Sequence, residues 1–280
     1  MKGGHVQPTT EQTLWLLKVL QPERTLGSLP GASALSEPVR AALLGLPTDT
    51  YATEQSRMLE GAKQAARELL SESGVATLVD RLPVKEGMRI TVFGDSHTSD
   101  PQSWALILRD LLAPRGIAVE IDAVPGDTTT HGLIRIGQVV AQQPDWVCFL
   151  IGTNDARTQG PKPTKTLVHH TESARNLSEL HERVTRETRA RCLWLTPPAV
   201  NEARVSTHWG LSRFGVRFRN EDIARVAAAV RDLGAPTIDL FSVLGTPPAP
   251  GLLMDDGLHL TLAGQKRLAL EVIRGWSNLS

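Results

Sequence analysis

Ser96, Asp256 and His259, with Gly126 and Asn154 between them, are residue types that could together perform acyl transfer. A serine hydroxyl attacks. A histidine, whose ordinary pKa lies nearest neutrality, accepts its proton. An aspartate three residues before that histidine can hold the ring in one tautomer. Donors for a developing oxyanion could come from the Ser96 and Gly126 N–H groups and the Asn154 side-chain amide, since glycine allows close backbone approach and asparagine donates without adding charge. Each residue also has a plainer reading. Asp95 and Ser96 could simply cap a helix, Gly126 could be a turn glycine, Asn154 an Asx-turn residue, and Asp255 competes with Asp256 to orient the imidazole.

The elements around these residues favour their convergence. Ile90 to Phe93 is a β-branched and aromatic run, followed by the turn Gly94-Asp95-Ser96-His97 and, from Pro101, by helical spacing through Trp104, Leu108, Leu111 and Leu112. Further strands are expected at 117–124, 145–151, 192–195 and 237–240. Helices are expected at 128–142, 166–190, 222–233 and 262–276, with 199–213 a loop or insertion. Alternation of this kind predicts a parallel five-stranded sheet with helices on both faces. Ligands of such sheets bind beyond the carboxyl ends of the strands. That edge carries Asp95-Ser96-His97, Pro125-Gly126-Asp127-Thr128 and Gly152-Thr153-Asn154-Asp155, joined near the end of the chain by Asp255-Asp256-Gly257-Leu258-His259.

Four blocks, FGDSH at 93–97, PGDTTTHGL at 125–133, IGTNDAR at 151–157 and DGLHLTLAG at 256–264, resemble the SGNH (GDSL-like) hydrolase superfamily over about 88–275. The resemblance implies an α/β, flavodoxin-like three-layer sandwich and a serine esterase working through an acyl-serine. By motif position Ser96 is the nucleophile, Gly126 and Asn154 complete the oxyanion hole, and Asp256 and His259 complete the triad. No metal or organic cofactor is implied. The middle blocks look most like the bacterial thioesterase/lysophospholipase branch, whereas DGLHLT is similar to branches acting on acetate esters. The first block departs from the common pattern: His97 and Pro101 alter the pocket rim, so acyl preference does not carry over.

The expected substrate is therefore a small-molecule carboxylic ester with a small or medium, possibly acetyl, acyl group. Longer-chain thioesters or lysophospholipids are the alternative within the class, and a non-catalytic scaffold on a hydrolase fold is the alternative outside it. His97, beside the nucleophile, and Arg157, suited to an anionic substrate or to a structural salt bridge, are candidate substrate contacts. Trp209 and Phe214 could line a lid or belong to the core.

Thirty basic residues balance thirty acidic ones, which gives no electrostatic footprint for nucleic acid. Cys148 and Cys192 lie in apolar runs and read as buried free thiols, and no histidine pairing has zinc spacing. Without a signal-type apolar segment or a membrane span, a cytoplasmic protein is expected; the oligomeric state is not encoded in any motif. Residues 1–85 read as a helical N-terminal region without recognisable chemistry, and 86–280 as the hydrolase domain. Within the former, residues 1–10 read as frayed, and helices are expected at 13–20, 39–46 and from 53 to about 70.

Overall fold

The computed structural model describes residues 9–26 and 35–279. Its centre is a sheet of β1 (Arg89–Gly94), β2 (Ala118–Ala123), β3 (Trp146–Leu150), β4 (Arg191–Leu195) and β5 (Thr237–Ile238), in the order β2-β1-β3-β4-β5. Every pairing is parallel. Successive side chains of a strand point to opposite faces, so each apolar run feeds two cores. Ile90, Val92, Trp146, Cys148 and Leu150 enter one. Phe93, Val147, Phe149, Ile151 and Trp194 enter the other, where the Phe149 and Trp194 rings stack at 4.1 Å. Both thiols are free and buried.

Helices Thr129–Gln142, His170–Glu187 and Asn220–Arg231 cover the second face through Ile136, Leu177, Leu180 and Val226. The first face is covered by Trp104–Leu112 and Leu262–Ser277, and also by Thr48–Ser71 from the N-terminal region. That helix places Ala62, Ala65, Ala66 and Leu69 in the same core as β1, so part of the N-terminal region is a layer of the sandwich. The expected helix over 166–190 is shorter, His170–Glu187, because His169 caps it at residue 171 and the segment before it is irregular. The segment 199–213, expected as a loop or insertion, contains two short helices, Glu202–Thr207 and Trp209–Ser212.

At the N-terminus the expectation of a frayed end over residues 1–10 fails for Thr9 and Thr10. Thr9 caps helix α1 (Thr10–Val19) in a reciprocal capping box with Gln12, which satisfies donors that a helix start leaves open. Residues 1–8 lie outside the described ones. No described helix is long and apolar enough to cross a membrane.

Candidate active site

The turn after β1 places Ser96 at the carboxyl edge of the sheet. Gly94 ends the strand where a Cβ would lie 2.5 Å from the Leu150 carbonyl oxygen and from Thr98 Oγ1, so only glycine lets the chain turn there. Asp95 then caps the short helix Ser96–Ser99, its Oδ1 accepting the His97 N–H at 3.0 Å. As the first residue of that helix, Ser96 keeps a backbone N–H with no preceding helical acceptor. Burial raises the Asp95 carboxyl to about 7 against the His97 N–H that holds it down, in keeping with a structural residue.

The loop before helix Leu262–Ser277 returns His259 to the same place. Met254 and His259 pair through their backbones, and Gly257 takes a positive φ in the tight turn between them. A Cβ on Gly257 would meet the Asn201 carbonyl oxygen at 2.7 Å, which ties this turn to the 199–213 insertion. His259 Nε2 lies 3.1 Å from Ser96 Oγ, and its Nδ1 lies 2.5 Å from Asp256 Oδ2. The other carboxylate oxygen accepts the Leu258 and His259 backbone N–H groups, each at 2.9 Å. Asp256 is fully buried, whereas the side chain of Asp255 is 76% exposed and paired with Arg204. Of the two competing aspartates, Asp256 faces the imidazole.

The electrostatics follow from that geometry. Burial pushes the Asp256 carboxyl up, but His259 and the two backbone N–H groups outweigh it and hold the group well below the carboxylate range. Burial pulls the His259 ring down, yet attraction and hydrogen bonding by Asp256, with Asp100 and Asp95 beyond, leave it above its ordinary value.

Gly126 and Asn154 face the cavity above Ser96. Gly126 has a positive φ and open space where a Cβ would stand. Asn154 donates one Nδ2 hydrogen to the Asp127 carbonyl at 3.1 Å, which aims its amide and leaves the second hydrogen uncommitted by that bond. Asp155 pins this loop to the neighbouring helix start, accepting the Thr129 N–H at 2.9 Å, the Thr129 hydroxyl at 2.5 Å and the Ser173 hydroxyl at 2.8 Å. The structure thus brings Ser96, Gly126, Asn154, Asp256 and His259 together.

His97 and Arg157 separate. His97 is buried, is not among the cavity-lining residues, and has no hydrogen-bond partner on either ring nitrogen among the described residues. Consecutive helical side chains diverge by about 100°, and here Ser96 takes the direction of the cavity while His97 turns into the protein. Burial lowers the His97 pKa to about 3, which keeps the ring neutral. Arg157 does line the cavity. The alternative of a structural salt bridge for it fails: it makes no ion pair among the described residues, and its buried Nε has no partner there. Desolvation lowers its pKa with no neighbouring acid to oppose the effect.

The cavity measures about 280 Å³ and is largely apolar in its lining. Leu211, Phe214, Val216 and Phe218 form one wall, and Trp15, Val19 and Leu20 from the N-terminal region form another. Phe214 is half exposed at this wall, and Trp209 packs edge-on against Trp15 at 5.1 Å. Trp15 was not legible as a site residue. It sits in an ordinary apolar helical run, 241 positions from the Asp256 carboxylate that it contacts. No cluster of three or more His, Cys, Asp or Glu side chains suited to a metal occurs among the described residues.

A family model for the GDSL-like lipase/acylhydrolase family matches residues 92–267. The chain belongs to this family. With membership comes its activity class, hydrolysis of carboxylic esters. The fold is also similar to several solved structures: TesA, at 23% identity and a TM-score of 0.51 over 69% of this chain and 99% of that one; a variant of Axe2, an acetyl xylan esterase from Geobacillus stearothermophilus, at 19% identity and a TM-score of 0.52 over 69% and 96%; and LAE5, an alpha/beta hydrolase from the metagenome of Lake Arreo, Spain, at 19% identity and a TM-score of 0.53 over 70% and 98%. At these identities the likeness shows the shared fold. A search of curated proteins found no match.

Proposed function

We propose that this protein hydrolyses esters of small or medium acyl groups in two steps through an acyl-serine. The observation that carries the proposal is the buried relay Ser96–His259–Asp256 at the floor of an apolar cavity. Ser96 Oγ attacks the carbonyl carbon while its proton passes to His259 Nε2. The tetrahedral oxyanion is met by the Ser96 and Gly126 N–H groups and by the Asn154 amide. Collapse expels the alcohol, which takes the proton from His259. Water then gives a proton to the same nitrogen as it attacks the acyl carbon, and collapse expels Ser96 Oγ, which takes that proton back from His259 as the acid leaves.

Cavity size supports a short acyl group. At about 280 Å³ it falls just below the roughly 300–1,000 Å³ of small-molecule sites, a size that suits a short acyl group. Arg157 in the same lining, without a counter-charge among the described residues, supports a substrate with an anionic substituent. A half-buried cation in that state gains most from a ligand that brings the opposite charge.

A p-nitrophenyl ester series from acetate to palmitate tests the reading, with a hemisuccinate as the anionic member. Rates are expected to peak at short or medium chains, and Arg157→Gln to raise KM for the hemisuccinate by about tenfold or more while sparing the acetate. Ser96→Ala should abolish turnover without altering the far-UV spectrum. Wild-type activity in Ser96→Ala defeats the acyl-serine reading, and a maximum at palmitate turns the assignment toward thioester or lysophospholipid hydrolysis.

A further inference from the structure

The Asp256 carboxylate receives one hydrogen bond from far outside its own turn. Trp15 Nε1 donates to Oδ2 at 2.8 Å, the same oxygen that takes His259 Nδ1. With the two backbone N–H groups on Oδ1, both oxygens are doubly occupied, which is the full acceptor capacity of a carboxylate. The other three donors come from residues 258 and 259 and move with the turn itself. Trp15 is the donor that ties Oδ2 to a separate part of the molecule.

The indole is held rigidly. Gly210 packs so closely that a Cβ there would stand 2.8 Å from the ring, and His208 and Trp209 flank it at 5.3 and 5.1 Å. Helix α1 also grips the turn that carries the nucleophile. Lys18 Nζ lies 3.0 Å from Asp100 Oδ2 with both side chains buried, and just beyond the helix Gln21 Nε2 donates to the Ser99 carbonyl at 2.9 Å. One helix, outside the segment that the family model matches, thus spans the serine's turn and the aspartate's loop. A helix serving only as a cover would need neither a buried donor to the carboxylate nor a buried ion pair beneath the nucleophile.

We propose that Trp15 is a positioning residue of the active site, fixing the Asp256 carboxylate against His259, and that α1 is a working part of the catalytic centre. The inference rests on the acyl-serine reading above. The charged and titratable groups around the pair are Asp95 and Asp100 from the nucleophile's turn, Lys18 paired with Asp100, His97 beside them, Arg157 in the cavity lining and His208 from the insertion. Because Asp95 itself ionises at about 7, the shift is read as the difference between each variant and wild type. Removing the N–H leaves more charge on Oδ2, strengthens its hold on the protonated imidazole and raises the pH at which His259 becomes a free base.

Two variants remove the donor: Trp15→Phe, and site-specific replacement of Trp15 by benzothienylalanine, in which sulfur stands for the N–H in a ring of the same shape. Each is compared with wild type for fluorophosphonate labelling at Ser96, for kcat and KM across pH on a short-chain ester, and for melting temperature. The expected result is a fall in kcat and in labelling rate of about tenfold, with KM within about twofold and the acid limb of kcat/KM moved to higher pH. Wild-type kcat and an unmoved limb in the folded benzothienylalanine variant overturn the proposal, as does a loss confined to KM, which makes Trp15 a wall of the pocket. If Trp15→Phe fails to fold, the isosteric variant decides. Failure of wild type itself to label at Ser96 brings down the underlying reading, whereas normal wild-type labelling matched by both variants removes only this inference.

Discussion

Around Ser96, types and spacing alone led to the serine, the histidine, the glycine and the asparagine. Motif position favoured Asp256 over Asp255, although both lie within reach of His259 along the chain. Geometry separates them by turning one to Arg204 at the surface and the other into the core. Asp95 shows the cost of such burial. Its carboxyl ionises near 3.8 in an unfolded chain but at about 7 in the folded one, so the unfolded state releases this proton first as pH rises. The stability that Asp95 contributes is therefore full below about pH 4 and declines through the interval up to about 7, by as much as a few kcal/mol. Asparagine keeps an oxygen to cap residue 97 and cannot ionise. Asp95→Asn is expected to melt like wild type near pH 4.5 and several degrees higher at pH 8. Parallel melting curves for the two proteins across that range would sink this account of Asp95.

At the scale of elements, the strand ends carry the site and α1 clamps it. Lys18 and Asp100 form an ion pair with side chains only 6% and 3% exposed, joined by a hydrogen bond from Lys18 to Gln102 at 3.2 Å. Breaking a buried pair by removing one partner leaves a buried charge alone, at a cost of about 3–5 kcal/mol, although an apolar replacement of both partners is often neutral. Lys18→Met is expected to lose stability on that scale in denaturant unfolding, and Lys18→Met with Asp100→Leu to recover most of it. Equal losses in the single and double variants would show that the pair itself is not what matters. Strands were readable from their β-branched and aromatic runs, and their ends differ from expectation by a residue or two. Helix ends were less readable, because caps such as His169 depend on side-chain geometry that periodicity does not carry.

For the molecule as a whole, the N-terminal region and the sheet share a core. Leu69, Val75, Val79 and Leu82 are all nearly or fully buried in the cluster that contains Ile90 and Val92. At roughly 1.5–3 kcal/mol for each such side chain, these four contribute about as much as the 5–15 kcal/mol that separates a typical folded domain from its unfolded state. We expect residues 86–280 expressed alone to be insoluble or to bind a hydrophobic dye, and the full chain to unfold in one cooperative transition followed by tryptophan fluorescence. A soluble, cooperatively folding 86–280 fragment would instead establish the division at residue 85 that the sequence suggested.

Local pattern and motif position were enough to point to the class of fold, the edge of the sheet where chemistry would occur and the five converging residues, because strand periodicity and turn chemistry act over a few positions. The remaining choices belong to tertiary structure alone. Whether Arg157 finds a counter-charge, how large the cavity is, and that an indole from residue 15 reaches a carboxylate at residue 256 are all fixed by packing between segments that share no local signal.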